Sequence, residues 1–230
     1  MGTLTLQQMI GELKAHLGNR IELTDPRYVI ALNVAQTRIA RLRDWDELER
    51  LSAGVLTVGS KLLGQPTDTH KIFTFRLVHA TNTVIPRKLT YVPSRQWDTR
   101  IPAPQALSAG IPEIYTIWGN QFELWRVPDL AYDYELRHTV WPTDFSVSML
   151  TGVSSFNKKD DMVLALATSW LYLGLREDQL ANTWWTVYRE LAASAGVLEE
   201  LQPDQQLSAY QRGVAGVTDY WTDPFVDRNP

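Results

Sequence analysis

Leu6, Met9, Ile10, Leu13 and Leu17 recur at three- and four-residue intervals, which predicts an amphipathic helix at the start of the chain. Thr5 caps it, Gln8 three residues on completes a capping box, and Gly18 marks its end. Asp25-Pro26 reads as a second start, with proline at the first helical position, where its missing N–H costs nothing. From there Tyr28, Ala31, Leu32, Ala35, Ile39, Leu42 and Trp45 keep helical spacing, so the second helix is expected to run to about Leu48. Its other face carries Arg38, Arg41, Arg43, Asp44, Asp46, Glu47 and Glu49, a mixture of signs that suits a solvated helix face.

Near Leu51 the period changes. Residues 51–142 are rich in Thr, Val, Ile, Tyr and Trp and are broken by proline and glycine, the composition of strands and turns. Strands are expected at 54–58, 71–79, 84–92, 113–118, 121–127 and 132–140, with a short helical turn at 96–99. The clearest element is the hairpin in which Gly119-Asn120 joins residues 114–118 to 121–125. Alternation puts Ile114, Thr116 and Trp118 on one face of the first strand, and Phe122 and Leu124 on one face of the second.

Helical spacing returns with Val163, Leu166, Ala167, Trp170, Leu171 and Gly174, capped by Asp160 or Asp161. It continues with Leu180, Trp184, Tyr188, Leu191 and Ala195, capped by Asp178 and reaching about Leu201. Two helices, a β-rich block and two more helices imply an α+β fold. The expected form is a four-helix bundle made by the N- and C-terminal helices, with an inserted antiparallel β-domain and an extended C-terminal arm. The corresponding boundaries are 1–51 for the first half of the bundle, 52–145 for the β-domain, 146–201 for the second half and 202–230 for the arm.

The arm holds three prolines and little periodic apolar pattern, yet it keeps Tyr210, Tyr220, Trp221 and Phe225. Leaving such rings in water forgoes about 1.5–3 kcal/mol of burial each. These four residues are therefore read as anchors of a partner-docking arm.

Composition removes several chemistries. The chain has 230 residues, no cysteine and nine tryptophans, which excludes disulfides, thiolate catalysis and Cys-ligated metal. Its length is enough to bury a core unaided. A net charge of -4 does not suit a generally basic nucleic-acid binder. Lys71, Arg76, Arg87, Lys88, Arg95 and Arg100 gather in the β block, where solvated strand edges explain them more simply than a polyanion-facing surface. The longest uncharged apolar stretch, residues 162–175, is shorter than the roughly 20 residues a membrane span needs. Residues 1–17 include Glu12 and Lys14 and do not read as a signal peptide.

Catalytic signals are missing together. His16, His70, His79 and His138 have no metal-ligand spacing, Gly59-Ser60-Lys61 lacks the glycine framework of a phosphate loop, and no Gly-x-Ser-x-Gly elbow occurs. The paired carboxylates Asp44/Asp46 and Asp160/Asp161 sit at helix ends, where helix electrostatics account for them. No catalytic, cofactor-binding or metal-binding residue is expected, and no cofactor.

The chain opens with the capped helix Thr5-Leu6-Gln7-Gln8-Met9-Ile10 and has Leu32-Asn33-Val34-Ala35 in a helix ending near Trp45. It continues with Pro112-Glu113-Ile114-Tyr115 before Trp118-Gly119-Asn120, Val127-Pro128-Asp129-Leu130-Ala131-Tyr132, and Trp141-Pro142 before two closing helices. In this layout it resembles the head-to-tail adaptor (head completion, or connector) proteins of tailed bacteriophages. The resemblance covers residues 1 to about 200, and the arm departs from it. The resemblance implies a structural virion protein rather than an enzyme. It would form a homo-oligomeric ring, commonly of twelve copies, docked on the portal protein, extending the DNA channel, close to packaged DNA and joined to a downstream tail or nozzle protein. No membrane partner is implied; assembly is expected in the host cytoplasm.

One close variant and two other classes compete. A tail-side gatekeeper or tubular tail ring would share the layout. A carbohydrate-binding module would use Trp97, Trp118, Trp125 and Trp141 as an aromatic platform. An unrecognised hydrolase is the weakest alternative.

Overall fold

The computed structural model describes residues 4–78, 87–101 and 109–200. Within them the chain is α+β, with five α-helices and two four-stranded sheets. Its backbone contacts divide it into two compact units, Met1–Ala35 with Lys158–Pro230, and Gln36–Asn157.

In the first unit, α1 (Leu6–His16) begins with the expected capping box: the Thr5 side chain accepts from the Gln8 N–H, and the Gln8 side chain accepts from the Thr5 N–H. Gly18 takes a φ of +70 just after the helix, the left-handed turn that a side chain would resist. The second helix, α2 (Asp25–Leu42), starts one residue earlier than its sequence signal. Asp25 is already helical, and the Thr24 carbonyl accepts from the Arg27 and Tyr28 N–H groups, so Thr24 holds the cap position. Tyr28, Ala31, Leu32 and Ala35 are buried as their spacing predicted.

α4 (Asp160–Gly174) is buried on nearly every side from Met162 to Tyr172, as its unbroken apolar run requires, and it packs against α1 and α5 (Asp178–Glu200). Neither aspartate caps it. Asp160 is its first residue, its Oδ2 accepting from the Leu4 N–H at 2.7 Å, while Asp161 Oδ1 accepts from the Met162 N–H at 2.8 Å. Asp178 is likewise inside α5, and the Glu177 carbonyl accepts from the Ala181 N–H. On α5 the buried positions are Ala181 and Tyr188 with Trp184 and Leu191 half-buried beside them; Leu180, expected in the core, is exposed.

In the second unit, α2 stops at Leu42 instead of Leu48. The chain leaves the helix and folds into a 3-10 turn, Asp46–Leu48. The indole N–H of Trp45 donates to the Ile39 carbonyl, in the last turn of the helix, at 2.8 Å. Trp45 also meets Phe156 edge-on, with centroids 5.7 Å apart. The Gln36 side-chain oxygen, buried, accepts from the Ser154 hydroxyl and the Ser155 N–H.

Sheet one has the order β1 (Glu49–Val55), β8 (Asp133–Val140), β3 (Thr69–Val78), β4 (Arg87–Lys88), with antiparallel neighbours. β1 begins five residues before the strand expected at 54–58, because the chain leaves α2 early. Sheet two has the order β2 (Leu62–Gly64), β7 (Gln121–Trp125), β6 (Ile114–Trp118), β5 (Thr90–Tyr91). It is mixed: β5 runs parallel to β6, which corrects the expectation of a purely antiparallel domain. Leu89, buried, is where the chain passes from one sheet to the other; its N–H donates to the Phe75 carbonyl at 2.8 Å. The strand expected at 84–92 is thus two short pieces from Arg87 onward, and its earlier residues lie outside those described. The helical turn expected at 96–99 is a two-turn helix, α3 (Ser94–Arg100).

Phe75, Leu77 and Leu136 from sheet one meet Tyr115, Phe122 and Leu124 from sheet two in one buried cluster. The register Tyr115↔Leu124 and Ile117↔Phe122 fixes which hairpin face joins it. On the other face, Ile114 and Trp125 pack against Val92, Trp97 and Ile101. Gly119 adopts a φ of +60 at the turn, as the Gly-Asn signal required.

Candidate assembly surfaces

The four anchor residues named from sequence, Tyr210, Tyr220, Trp221 and Phe225, all lie outside the described residues. The surfaces that the described residues do present are therefore the ones to weigh.

Three of the six residues in the basic cluster of the β block are paired with acidic side chains. Lys71 pairs with Asp44 at 2.6 Å, Arg76 donates from its Nε to Glu135 at 2.9 Å, and Arg87 pairs with Glu113 at 3.2 Å. These exposed or half-exposed pairs add little to stability, but they remove charge that a polyanion would need. This arrangement agrees with solvated strand edges.

The histidines serve packing. His70 stacks on Trp141 with centroids 3.9 Å apart, and its burial pushes its pKa down. His138 is buried beside the Leu136 carbonyl. His79 lies outside the described residues. Among the described residues no group of three His, Cys, Asp or Glu side chains is placed to hold a metal ion. No helix there is long and apolar enough to cross a membrane.

The tryptophans do not form one flat platform. Trp97 is 3% exposed, Trp125 is half-buried against it, and Trp141 lies between His70 and Arg41. Trp118, by contrast, is 70% exposed beside the hairpin turn. Other apolar side chains left in water are Leu51 and Val55 on edge strand β1, and Val147, Met149, Leu150 and Val153 in the stretch before α4.

The first unit carries a groove of about 550 Å³ where α1, α4 and α5 meet. Leu4, Leu164, Ala165, Trp184, Val187 and Leu191 give it an apolar lining; Glu12, His16, Lys158, Asp160 and Asp161 supply its polar atoms. His16 is held in place from three directions. Its ring lies on Trp184 with centroids 4.4 Å apart, its Nδ1 is 3.4 Å from the Thr168 hydroxyl, and its carbonyl accepts from the Tyr172 hydroxyl at 2.8 Å. Asp160 is 5% exposed; burial raises its pKa, an effect that the Leu4 hydrogen bond opposes and the Asp161 charge reinforces. Its Oδ1 has no hydrogen-bond partner among the described residues. Sequence reading placed Trp184 in a core and missed this groove. The available signal was the width of the apolar stripe on α5, where Val187 widens the line through Trp184 and Leu191 beyond what one core face needs.

The motifs quoted for the resemblance acquire physical roles. The Tyr132 hydroxyl donates to the Asp129 carboxylate, so Pro-Asp-x-x-Tyr closes a turn on itself. The Gly59 N–H donates to the Pro128 carbonyl at 2.8 Å and ties a second loop to that turn. Residues 4–216 match the family described as SU10 adaptor protein. The chain belongs to that family of phage head-to-tail adaptors. No curated protein matches it. As an adaptor it is a structural virion component, and its family is not one of enzymes. Tyr220, Trp221 and Phe225 lie beyond the matched stretch.

Proposed function

We propose that this adaptor assembles as a closed ring of twelve copies that docks on the portal, extends the DNA channel and presents a platform to the next tail or nozzle protein. The family match over residues 4–216 carries this reading. The exposed apolar residues of β1, the hairpin tip and residues 147–153 support it, since a ring subunit needs two different patches that meet on neighbouring copies. In this reading residues 1–51 and 146–201 supply the two halves of a four-helix bundle. Residues 52–145 are the inserted β-domain, and 202–230 are an arm that docks through Tyr210, Tyr220, Trp221 and Phe225. Assembly takes place in the host cytoplasm, and the finished ring lies next to packaged DNA.

Mixing the purified chain with its phage's portal ring, followed by size-exclusion chromatography with light scattering, tests the proposal. Co-elution with a mass increment of twelve chains is expected. A portal that elutes unchanged, while the adaptor instead binds a ring of tail protein, would favour the tail-side gatekeeper position.

A further inference from the structure

We propose that the free edge of β1 pairs with the same edge of a second copy, antiparallel about a two-fold axis at Ala53, and that this pair is the form in which the chain waits before it joins the ring. The proposal goes beyond the ring reading, because a two-fold contact closes at two subunits whereas a ring joins unlike patches.

The ladder shows which groups the edge offers. The Leu56 N–H donates to the Tyr132 carbonyl at 2.8 Å, which makes these two a hydrogen-bonded pair of antiparallel strands. Bonded pairs alternate along such a ladder, and the register continues with Gly54↔Tyr134 and Ser52↔Leu136. The N–H and carbonyl groups of Gly54 and Ser52 therefore point to β8, and those of Leu51, Ala53 and Val55 point away from it. Side chains follow the same alternation. Ser52 lies across from Leu136 on the face of the buried cluster, so Leu51, Ala53 and Val55 carry their side chains on the opposite face, where all three are exposed. The same three residues thus leave both a backbone edge and an apolar side chain uncovered.

The other strand edges are of a different kind. β4 has two residues, both basic, β5 has two and β2 has three. Short or charged edges resist pairing, whereas Leu51 to Val55 holds neither a charge nor a proline. Among the described residues, the edge long enough to match β1 is β1 itself, which makes a second copy the fitting occupant. The register is self-complementary. With Ala53 opposite Ala53, Leu51 falls opposite Val55 and Val55 opposite Leu51, so outward groups meet outward groups in about six hydrogen bonds. On one face Leu51, Ala53 and Val55 of both copies form an apolar strip; on the other, Ser52 meets Gly54, both small. A contact this short stands at the weak, exchangeable end of interfaces, so ring contacts can displace it.

The absence of native cysteine makes the test clean. The full chain without portal is followed by sedimentation velocity from about 1 to 100 µM, where transient contacts are populated. A concentration-dependent monomer–dimer equilibrium is expected. Ala53→Pro removes an N–H that faces away from β8, and Ala53→Lys puts a charge at the two-fold axis; each should weaken dimerisation at least tenfold with the circular dichroism spectrum unchanged. Oxidised Ala53→Cys should give a covalent dimer, since facing Cα atoms of a bonded pair lie about 5.5 Å apart, within disulfide reach. That dimer should enter no ring until it is reduced, and Ile21→Cys, exposed elsewhere, should give no such product. A chain that stays monomeric throughout, or a dimer that Ala53→Lys leaves intact, would overturn the proposal. So would a monomer in which Ala53→Lys weakens only portal or tail binding, an outcome that assigns the edge to a foreign strand. Ring formation on the portal is scored separately: rings from an always monomeric chain sink the pairing alone, whereas dimers that never yield rings sink the ring reading alone.

Discussion

The indole of Trp45 reaches back six residues to the Ile39 carbonyl and closes the end of α2 with a side-chain donor. Two jobs follow for one residue: filling space beside Phe156 and serving a buried acceptor. They separate by substitution. Trp45→Ala should destabilise by about 3–5 kcal/mol, the scale of large-to-small core changes. Trp45→Phe keeps a ring but removes the indole donor to the Ile39 carbonyl, at about 0.5–1.5 kcal/mol. Urea unfolding followed by circular dichroism measures both; a Trp45→Phe variant as stable as the parent would show that the hydrogen bond contributes nothing.

Gly54 sits in β1 opposite Tyr134 of β8. A Cβ at position 54 would come within 2.8 Å of the Tyr134 hydroxyl oxygen and 2.9 Å of the ring carbon that bears it. That ring is packed edge-on against Phe75, 5.5 Å away, so it has little freedom to yield. Gly54→Ala should cost about 1–3 kcal/mol as overpacking, read as a lowered melting temperature. An unchanged melting temperature would mean that the Tyr134 ring swings aside freely.

These two sites also show where the sequence was legible. Both N-terminal helices announced themselves through caps and spacing, and the Gly119-Asn120 turn through its need for positive φ, because those signals act within a few residues. The end of α2 did not, since Leu42 and Trp45 keep the helical spacing of the residues before them, whereas Trp45 turns back to the Ile39 carbonyl through a contact that spacing does not reveal. The strand β2 escaped notice because three residues carry no period. The parallel pairing of β5 with β6 involves two residues each and is decided by the buried cluster around Phe75. The groove was illegible for a similar reason. Spacing on α5 marks an apolar stripe but does not say how much of it neighbouring helices cover.

Burial pushes the phenols of Tyr115 and Tyr132 up to about 12, with the hydrogen bond to Asp129 adding to the effect at Tyr132. An unfolded tyrosine loses its proton near pH 10. Between these values the folded chain holds protons that the unfolded chain has released, so stability is fully present below about pH 10 and is lost as pH rises towards 12. Tyr115→Phe and Tyr132→Phe should each flatten that alkaline fall. If the slope of unfolding free energy against pH stays the same in both variants, neither phenol is responsible.

Asp160 works in the same direction at the acid end. Its raised pKa means that the folded chain binds this proton more tightly than the unfolded one, whose carboxyl titrates near 3.9. The contribution is present below that value and lost as pH rises through the folded value. Asp160→Asn keeps an acceptor for the Leu4 N–H without the charge. It should flatten the stability profile above about pH 4 and leave stability at pH 7 unchanged or higher. A loss above about 1 kcal/mol at pH 7 would show that the fold depends on the anion.

The central claim concerns place and number: this adaptor is a ring between portal and tail. Cryo-electron microscopy of the neck of the intact particle, at a resolution that traces the chain, tests it most directly. The expected result is a closed ring of twelve adaptor copies seated on the portal and coaxial with the DNA channel. Density for this chain on the tail side only, or as isolated subunits away from the channel, would contradict it.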